Sequence, residues 1–394
     1  MSDAHDRPSV VITGVGLVSA RGIGRAGHQG PLVAAEPTEL KLFDAATMPA
    51  TVAYQVQKVR PQPYMLRRKD LKLMSRDARL AVQAAGLAIE DAGLDPKDGQ
   101  QWPDKPENVG LFMGVGLEPG DIVELGLVMA DSSKDDHVDL QRLGSEGIGL
   151  IPPLSSLKTL PNMALAHVSI NFGLMGPGEA LSPWGASTLQ ALAAAVESIE
   201  RGECVMALVG GADSDVDLGG ISTHLRTGLA ARVTDAGGVS DGLEGVVMGE
   251  GAGFFVLESA RSAAQRGARV WGTVAGCATA FAHSPEVIGF DAQGAAELVG
   301  PLVSGAEAPV KVVSAAGHHQ VWRVAEAKAL EPLGVQVVRP SEAMGHCVAA
   351  SGILDLAAAM VSDEGQGPVS LIGLGWGSSG EWAAARIDVS GAEG

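Results

Sequence analysis

Gly242-Leu243-Glu244-Gly245-Val246-Val247-Met248-Gly249-Glu250-Gly251-Ala252-Gly253 runs on into FFVLESARSAAQRGARVWGTVAG and is the most patterned stretch of the chain. Glycines punctuate its first half, and the apolar run from Ala252 to Leu257 reads as a buried strand. No Gly-Lys-Ser/Thr follows the glycines, so this is not a phosphate loop. Upstream, Val205 to Val209 runs into Gly210-Gly211 as a second strand. Leu189, Leu192, Val196 and Ile199 before it repeat at helical spacing, with Ser187 as the expected cap and Gly202 as the stop.

The same alternation extends to both ends. Val10-Val11-Ile12 leads into Thr13-Gly14-Val15-Gly16 as a strand entering a tight turn. A helix is expected from Ser75 to Ala92, and a strand over Val109-Gly110-Leu111-Phe112-Met113. Residues 19–68 and 117–160 read as variable excursions. Beyond the signature, strands fit at 269–276, 310–314, 336–338 and 369–374, with helices near 323–330 and 349–361. Alternating strands and helices predict a layered α/β fold. Two similar halves, 1–260 and 261–394, suggest a duplication, and no low-complexity linker separates them.

The totals narrow the function classes. The 394 residues are 46% hydrophobic and 19% charged, a globular composition. Aromatics are 4% while glycines number 53, so the core must be built from Ala, Val, Leu and Ile. No apolar run approaches the roughly 20 residues that span a bilayer. The N-terminal MSDAHDRPS is polar rather than signal-like, and a soluble cytoplasmic protein is expected. Cys204, Cys277 and Cys347 lie far apart, against a disulfide framework or a CxxC metal site. A net charge of −18 repels nucleic acid and anionic membranes, and neither is an expected partner. No cofactor or metal is expected.

The signature resembles that of the β-ketoacyl synthases, the condensing enzymes of fatty acid and polyketide synthesis. VVITGVGLVS near the start, LAIEDAGL at 87–94, Gly345-His346 before AASG, and Gly375-Trp376-Gly377-Ser378 resemble the same family. Together they span almost the whole chain. The resemblance implies a thiolase-type, five-layered αβαβα fold with duplicated halves, usually dimeric.

It also implies where chemistry should sit. The family carries a cysteine at the start of the central helix, where the helix terminus lowers the thiol pKa and backbone N–H groups form an oxyanion hole. Matching Gly176-Pro177 and Leu189-Gln190-Ala191-Leu192 to the family places Gly185 on that cysteine. Glycine can form no acyl-enzyme. The family's Asn-Ala-His-Gly-Thr motif corresponds to Ser314-Ala315-Ala316-Gly317-His318-His319. Counting back from Glu326 puts its histidine at Ala315, or at Ala316 with one gap, while a larger shift brings in His318. The family's second histidine survives as His346, and its lysine is Ser341 here.

A ketosynthase body without its cysteine is similar to the chain-length factor, or KSβ, of type II polyketide synthases. That resemblance implies an active ketosynthase as heterodimer partner, which supplies the cysteine and receives the acyl carrier protein. It also implies an acyl tunnel along the subunit interface, with Leu117, Ile122, Leu125 and Met129 at its floor and Trp376 beside the empty nucleophile position. A chain at −18 suits the subunit that does not receive an acidic carrier.

Blander readings stand beside these. Cys347 next to His346 reads as a buried inert thiol, because sequence neighbours point in different directions. Ser182 or Ser187 with His346 would make a divergent acyltransferase or hydrolase, but Ser187 is more simply a cap and Ser182 a strand-end residue. His318-His319 lacks the carboxylate or cysteine company of a metal site. Trp376 fits either a gate or core filling, and His346 either a residual role or packing. A structural homodimer is the third functional reading.

Overall fold

The computed structural model describes residues 8–40, 50, 52–96, 102–116, 122–134, 137–240, 242–282, 291–314 and 316–390. Ten strands build its main sheet system: β1 (Val10–Ser19), β2 (Val109–Val115), β3 (Gly178–Leu181), β4 (Met206–Asp213), β5 (Gly251–Ser259), β6 (Gly272–Phe281), β7 (Val310–Ser314), β8 (Gln336–Val338), β9 (Val369–Trp376) and β10 (Glu381–Val389). Their order is β8-β7-β9-β10-β6-β1-β5-β4-β2-β3, and the short strand Gly22–Ile23 adds to β1.

The order hides a repeat. From the β1/β6 junction outward, one side runs 1-5-4-2-3 and the other 6-10-9-7-8, the same sequence raised by five. Directions repeat as well: two antiparallel pairings are followed by two parallel ones on each side. β1 and β6 touch through only two residue pairs, Val11–Thr273 and Ile12–Gly272. The two five-stranded sheets can therefore fold over against each other.

What lies between them is two helices rich in small and apolar residues. α4 (Ser187–Glu200) and α8 (Ser351–Ser362) pack on strands of both sheets. In α8 the residues from Ser351 through Val361 are all buried, and the run Ala357-Ala358-Ala359 keeps its girth small. A helix buried on every side has to sit inside a layered core. α1 (Arg76–Asp91) and α3 (Met163–Phe172) cover the first sheet from outside, and α6 (Ala292–Ser304) and α7 (Gln320–Leu330) cover the second. The stacking is helix, sheet, helix, sheet, helix, the five-layered αβαβα arrangement of the thiolase type. Strands β1, β2, β4 and β9 are buried along their whole length, which is why they read as continuous apolar runs.

Several elements differ from the sequence reading. The strand at Val10 runs on to Ser19 with no tight turn at Gly14–Gly16. Residues 163–172, 218–227 and 292–304 are helices that the sequence reading does not mark. Residues 381–389 form the central strand β10, which no pattern announced. Its Ala383-Ala384-Ala385 are buried on both faces and show no period. The excursion at 117–160 contains α2 (Ile122–Asp131). Among the described residues, no helix is long and apolar enough to cross a membrane.

α5 (Leu218–Thr227) presents His224 to the centre of the molecule, and its start is held by Asp217, whose carboxylate accepts the Gly220 N–H at 2.8 Å. Asp217→Ala is expected to cost about 1 kcal/mol, the usual loss for an N-cap, as read from the denaturant midpoint.

Candidate functional site

The glycine-rich signature works as a seat for His346. The chain passes Gly249 against Gly345, so close that a Cβ on Gly345 would lie 2.7 Å from the Gly249 Cα, and Gly345 has φ +84. Side chains at either position would force the strands apart. The crossing is locked by the His346 N–H to the Val247 carbonyl (2.9 Å) and the Gly249 N–H to the His346 carbonyl (2.9 Å). Glu250, wholly buried, anchors the seat from behind: it pairs with Arg76 and accepts the Val56 N–H at 2.7 Å.

His346 faces a small pocket whose other walls are Trp184, Gly185, Leu229, Trp322, Val348, Trp376, Gly377 and Ser378. Three indoles nearly fill it. Trp322 meets Trp376 edge-on at 4.9 Å between centroids, and Trp376 leans on Trp382 at 5.7 Å. Trp184 meets the His224 ring edge-on at 5.5 Å, and His319 stacks on Trp322 at 4.3 Å. About 20 Å³ of free space remains, room for about one water molecule.

Gly185 is buried at the start of α4, with Ala186 as the N-cap residue. A Cβ there would stand 2.7 Å from the Trp376 carbonyl oxygen. Main chain therefore blocks this position from carrying any side chain unless β9 moves. The residue before it enters the pocket instead. Trp184 has φ +53, a left-handed conformation unusual for so large a residue, and this turns its indole inward. Ser187 is the first helical residue rather than the cap, and its hydroxyl donates to the Trp184 carbonyl at 2.5 Å. Neither Ser187 nor the exposed Ser182 lines the pocket.

Ala315 and Leu117 lie outside the described residues. Ala316 is fully buried in the cluster that holds Trp322 and Trp376. His318 stacks against Tyr54 at 6.5 Å and lines a different pocket, with Arg339 and Glu342. Trp376 is both pocket wall and core, 6% exposed. Ile122 and Leu125 project from α2 into solvent, and Met129 is half-buried. Within this one chain they line no cavity with His346.

None of the three cysteines offers a thiolate. Burial pushes Cys347 well above its ordinary value, with the Asp355, Asp213 and Glu250 carboxylates adding to the effect. Burial likewise raises Cys204, and takes Cys277 up to about 12. Thiols are inert nucleophiles at neutral pH under these conditions. Behind the pocket, Asp213 accepts N–H groups from Ala349 (3.0 Å) and Asp215 (3.3 Å), and burial with the neighbouring Asp215 holds its carboxyl well above the usual range. Asp215 in turn meets His224 Nε2 at 2.7 Å. Among the described residues, no three His, Cys, Asp or Glu side chains gather as metal ligands.

Residues 8–263 match the model of the β-ketoacyl synthase N-terminal domain, and the chain belongs to that family. It is 27% identical over 371 residues to the actinorhodin polyketide putative β-ketoacyl synthase 2 of Streptomyces coelicolor, covering 90% of this chain and 85% of that protein. It is 26% identical to the chloroplastic 3-oxoacyl-[acyl-carrier-protein] synthase I of Arabidopsis thaliana, covering 95% of this chain and 77% of that protein. In fold it is similar to the ishigamide ketosynthase/chain length factor, with TM-score 0.79 and 20% identity over 98% of this chain and all of that one. It also superposes on a type II polyketide ketosynthase in complex with its acyl carrier protein, with TM-score 0.73 and 17% identity, over 98% of this chain and all of that one.

Sequence reasoning had pointed to Gly185, His346 and Trp376 in this region. It missed Trp184 and Trp322, the residues that occupy the space. The available signal was composition: in a chain with 4% aromatics, six tryptophans are conspicuous, and four of them meet here as Trp184, Trp322, Trp376 and Trp382.

Proposed function

We propose that this chain is the non-catalytic, chain-length-factor-like subunit of a type II polyketide condensing enzyme, paired with an active ketosynthase. The observation that carries the reading is the pocket at His346, packed with Trp184, Trp322 and Trp376 down to about 20 Å³. A malonyl or acyl thioester has no room there, and Gly185 brings no side chain to attack one. Stabilising a developing enolate takes converging donors around an oxygen, and the indole faces around His346 supply a wall instead.

In this reading the reacting cysteine and the docking site for the acyl carrier protein belong to the partner. The apolar surface of this chain belongs to the interface. Among the described residues, ten of the seventeen exposed large hydrophobics (Ile122, Leu125, Leu127, Leu140, Ile148, Leu150, Leu154, Leu160, Ile170 and Met175) fall between residues 122 and 175. Concentrated apolar surface of this kind marks a contact face. Ile122, Leu125 and Met129, with Leu117, would close the floor of a tunnel completed by the partner, and so limit the length of the chain grown in it.

The test is intact-mass measurement of both chains after incubation with malonyl- and acyl-loaded carrier protein. The expected result is added acyl mass on the partner ketosynthase and none on this chain. Acyl mass on this chain would establish a serine-dependent acyltransferase or hydrolase in its place. Failure to form any complex with an active ketosynthase would leave the structural homodimer.

A further inference from the structure

Loop residues 31–37 and 236–240 line a cavity of about 520 Å³ that has no wall residue in common with the tryptophan pocket. Its walls are apolar, with Leu32, Ala35 and Pro37 from the first loop and Ala236 and Val239 from the second. The first loop is fastened at both ends of the cavity. The Ala35 N–H donates to the Ala343 carbonyl at 2.8 Å, and Thr38–Glu39 pairs antiparallel with Val52–Ala53 just ahead of Tyr54. Three polar side chains complete the lining: Tyr54, His318 and Arg339, the first two only 2% and 5% exposed. The Tyr54 hydroxyl reaches the Glu342 carbonyl at 3.4 Å, beyond the roughly 3.0 Å usual for a hydroxyl donor. Arg339 gives Nη2 to the buried Glu326, and its Nε has no hydrogen-bond partner among the described residues. The Glu342 carboxylate also borders the cavity, 3.5 Å from Arg323, which offsets its charge.

We propose that this cavity binds a small monocarboxylate with an apolar body, an aromatic acid being the plainest fit. Small-molecule sites are apolar enclosures of roughly 300–1,000 Å³ with a few placed polar groups, and this cavity has that size and that lining. The Tyr54 hydroxyl and the Arg339 guanidinium both have donor capacity to spare, so the complementary group is an acceptor. A carboxylate accepts from both, and its bond to a guanidinium is charge-assisted. An ammonium, which only donates, would leave both unsatisfied. The site also backs the seat of His346. The Tyr54 N–H donates to the Met248 carbonyl at 2.9 Å, the Tyr54 carbonyl accepts the Glu250 N–H at 3.1 Å, and a Cβ on Gly345 would lie 2.8 Å from the Tyr54 Cβ. His318 adjoins His319, which stacks on Trp322 in the tryptophan pocket. A ligand held by Tyr54 and His318 therefore bears on two segments that frame the His346 pocket without entering it.

Isothermal titration of the full chain with benzoate tests the site. Benzamide supplies the same body without the charge, and acetate the charge without the body. Benzoate is expected to bind one site about tenfold more tightly than either, because only it meets the walls and the donors together. Two variants place that site. Tyr54→Phe removes one hydroxyl and should weaken benzoate about fivefold, the effect of one hydrogen bond. Val239→Trp fills the cavity from a half-buried loop position and should abolish binding, with the melting temperature checking that the variant folds. Tyr54→Phe alone decides the matter where Val239→Trp does not fold. No binding of benzoate, equal binding of benzamide or acetate, or unchanged benzoate binding in either folded variant would overturn the assignment. The inference is independent of the two-subunit reading, since the mass assay above reads acyl transfer and this titration reads a separate cavity.

Discussion

Shortening Trp184 is expected to open the pocket at His346 and to make it bind a small aromatic molecule that the unaltered protein refuses. The indole of Trp184 is one of three that reduce the space to about 20 Å³, and it is the one delivered by the strained turn ahead of α4. Loss of a packed aromatic side chain costs about 3 kcal/mol, the lower end of the usual range, because this ring is only partly buried. The two natural truncations should not be equal. At φ +53 alanine still carries the left-handed penalty, whereas glycine adopts that conformation freely, so Trp184→Gly should be more stable than Trp184→Ala by about 1 kcal/mol. That order is the reverse of their order inside a helix. Free indole should then raise the melting temperature of Trp184→Gly by several degrees and leave the unaltered protein unmoved, since only a ligand of the native state stabilises. An equal shift in both proteins would mean that the three indoles do not close the site. Gly185→Cys is a weaker intervention, because the Trp376 carbonyl stands where its Cβ must go.

The comparison with the sequence is instructive at this same turn. Spacing from Leu189 back to Gly185 identifies the position of a missing side chain, because helix register is one-dimensional information. Which neighbour turns inward depends on the sign of one φ angle at Trp184, and a Pro-Trp-Gly sequence does not display it. The strand order was similarly half legible. Strands with Val and Ile runs, such as β1 and β9, announce themselves, but β10 is written in alanines buried on both faces and carries neither a helical nor an alternating period. The alternation of elements suggests two similar halves, 1–260 and 261–394, but their shared strand order, 1-5-4-2-3 and 6-10-9-7-8, is a property of pairing and leaves no visible trace in residue identity. The α2 residues show a different limit. The family resemblance puts Ile122 and Leu125 at a tunnel floor, and in the single chain they face water, so any cavity they line has to be made with a second surface.

The buried acids of the interior set a pH dependence of stability whose direction is fixed by their burial. Asp355 lies in the middle of α8, is 3% exposed, and its Oδ2 is buried without a hydrogen-bond partner. Burial holds its carboxyl well above the ordinary aspartate value. The sign is then fixed. Below the unfolded pKa, near 3.9, both states are protonated and Asp355 costs nothing on this account. As pH rises above that value the unfolded chain releases its proton while the folded chain keeps it, so the native state binds more protons and loses stability with pH. The loss continues at up to about 1.4 kcal/mol per pH unit until the folded pKa is reached, and is constant above it. Asp355→Asn removes the proton exchange and keeps the shape. The difference in unfolding free energy between Asp355→Asn and the unaltered chain should therefore grow in favour of the variant as pH rises from about 4.5, and level off once the native carboxyl ionises. Reading the difference rather than either curve cancels the other buried acids, Asp213 among them, whose carboxyl is also held high. Urea titrations of both proteins across that range measure it, and parallel curves would mean that Asp355 is ionised in the native core.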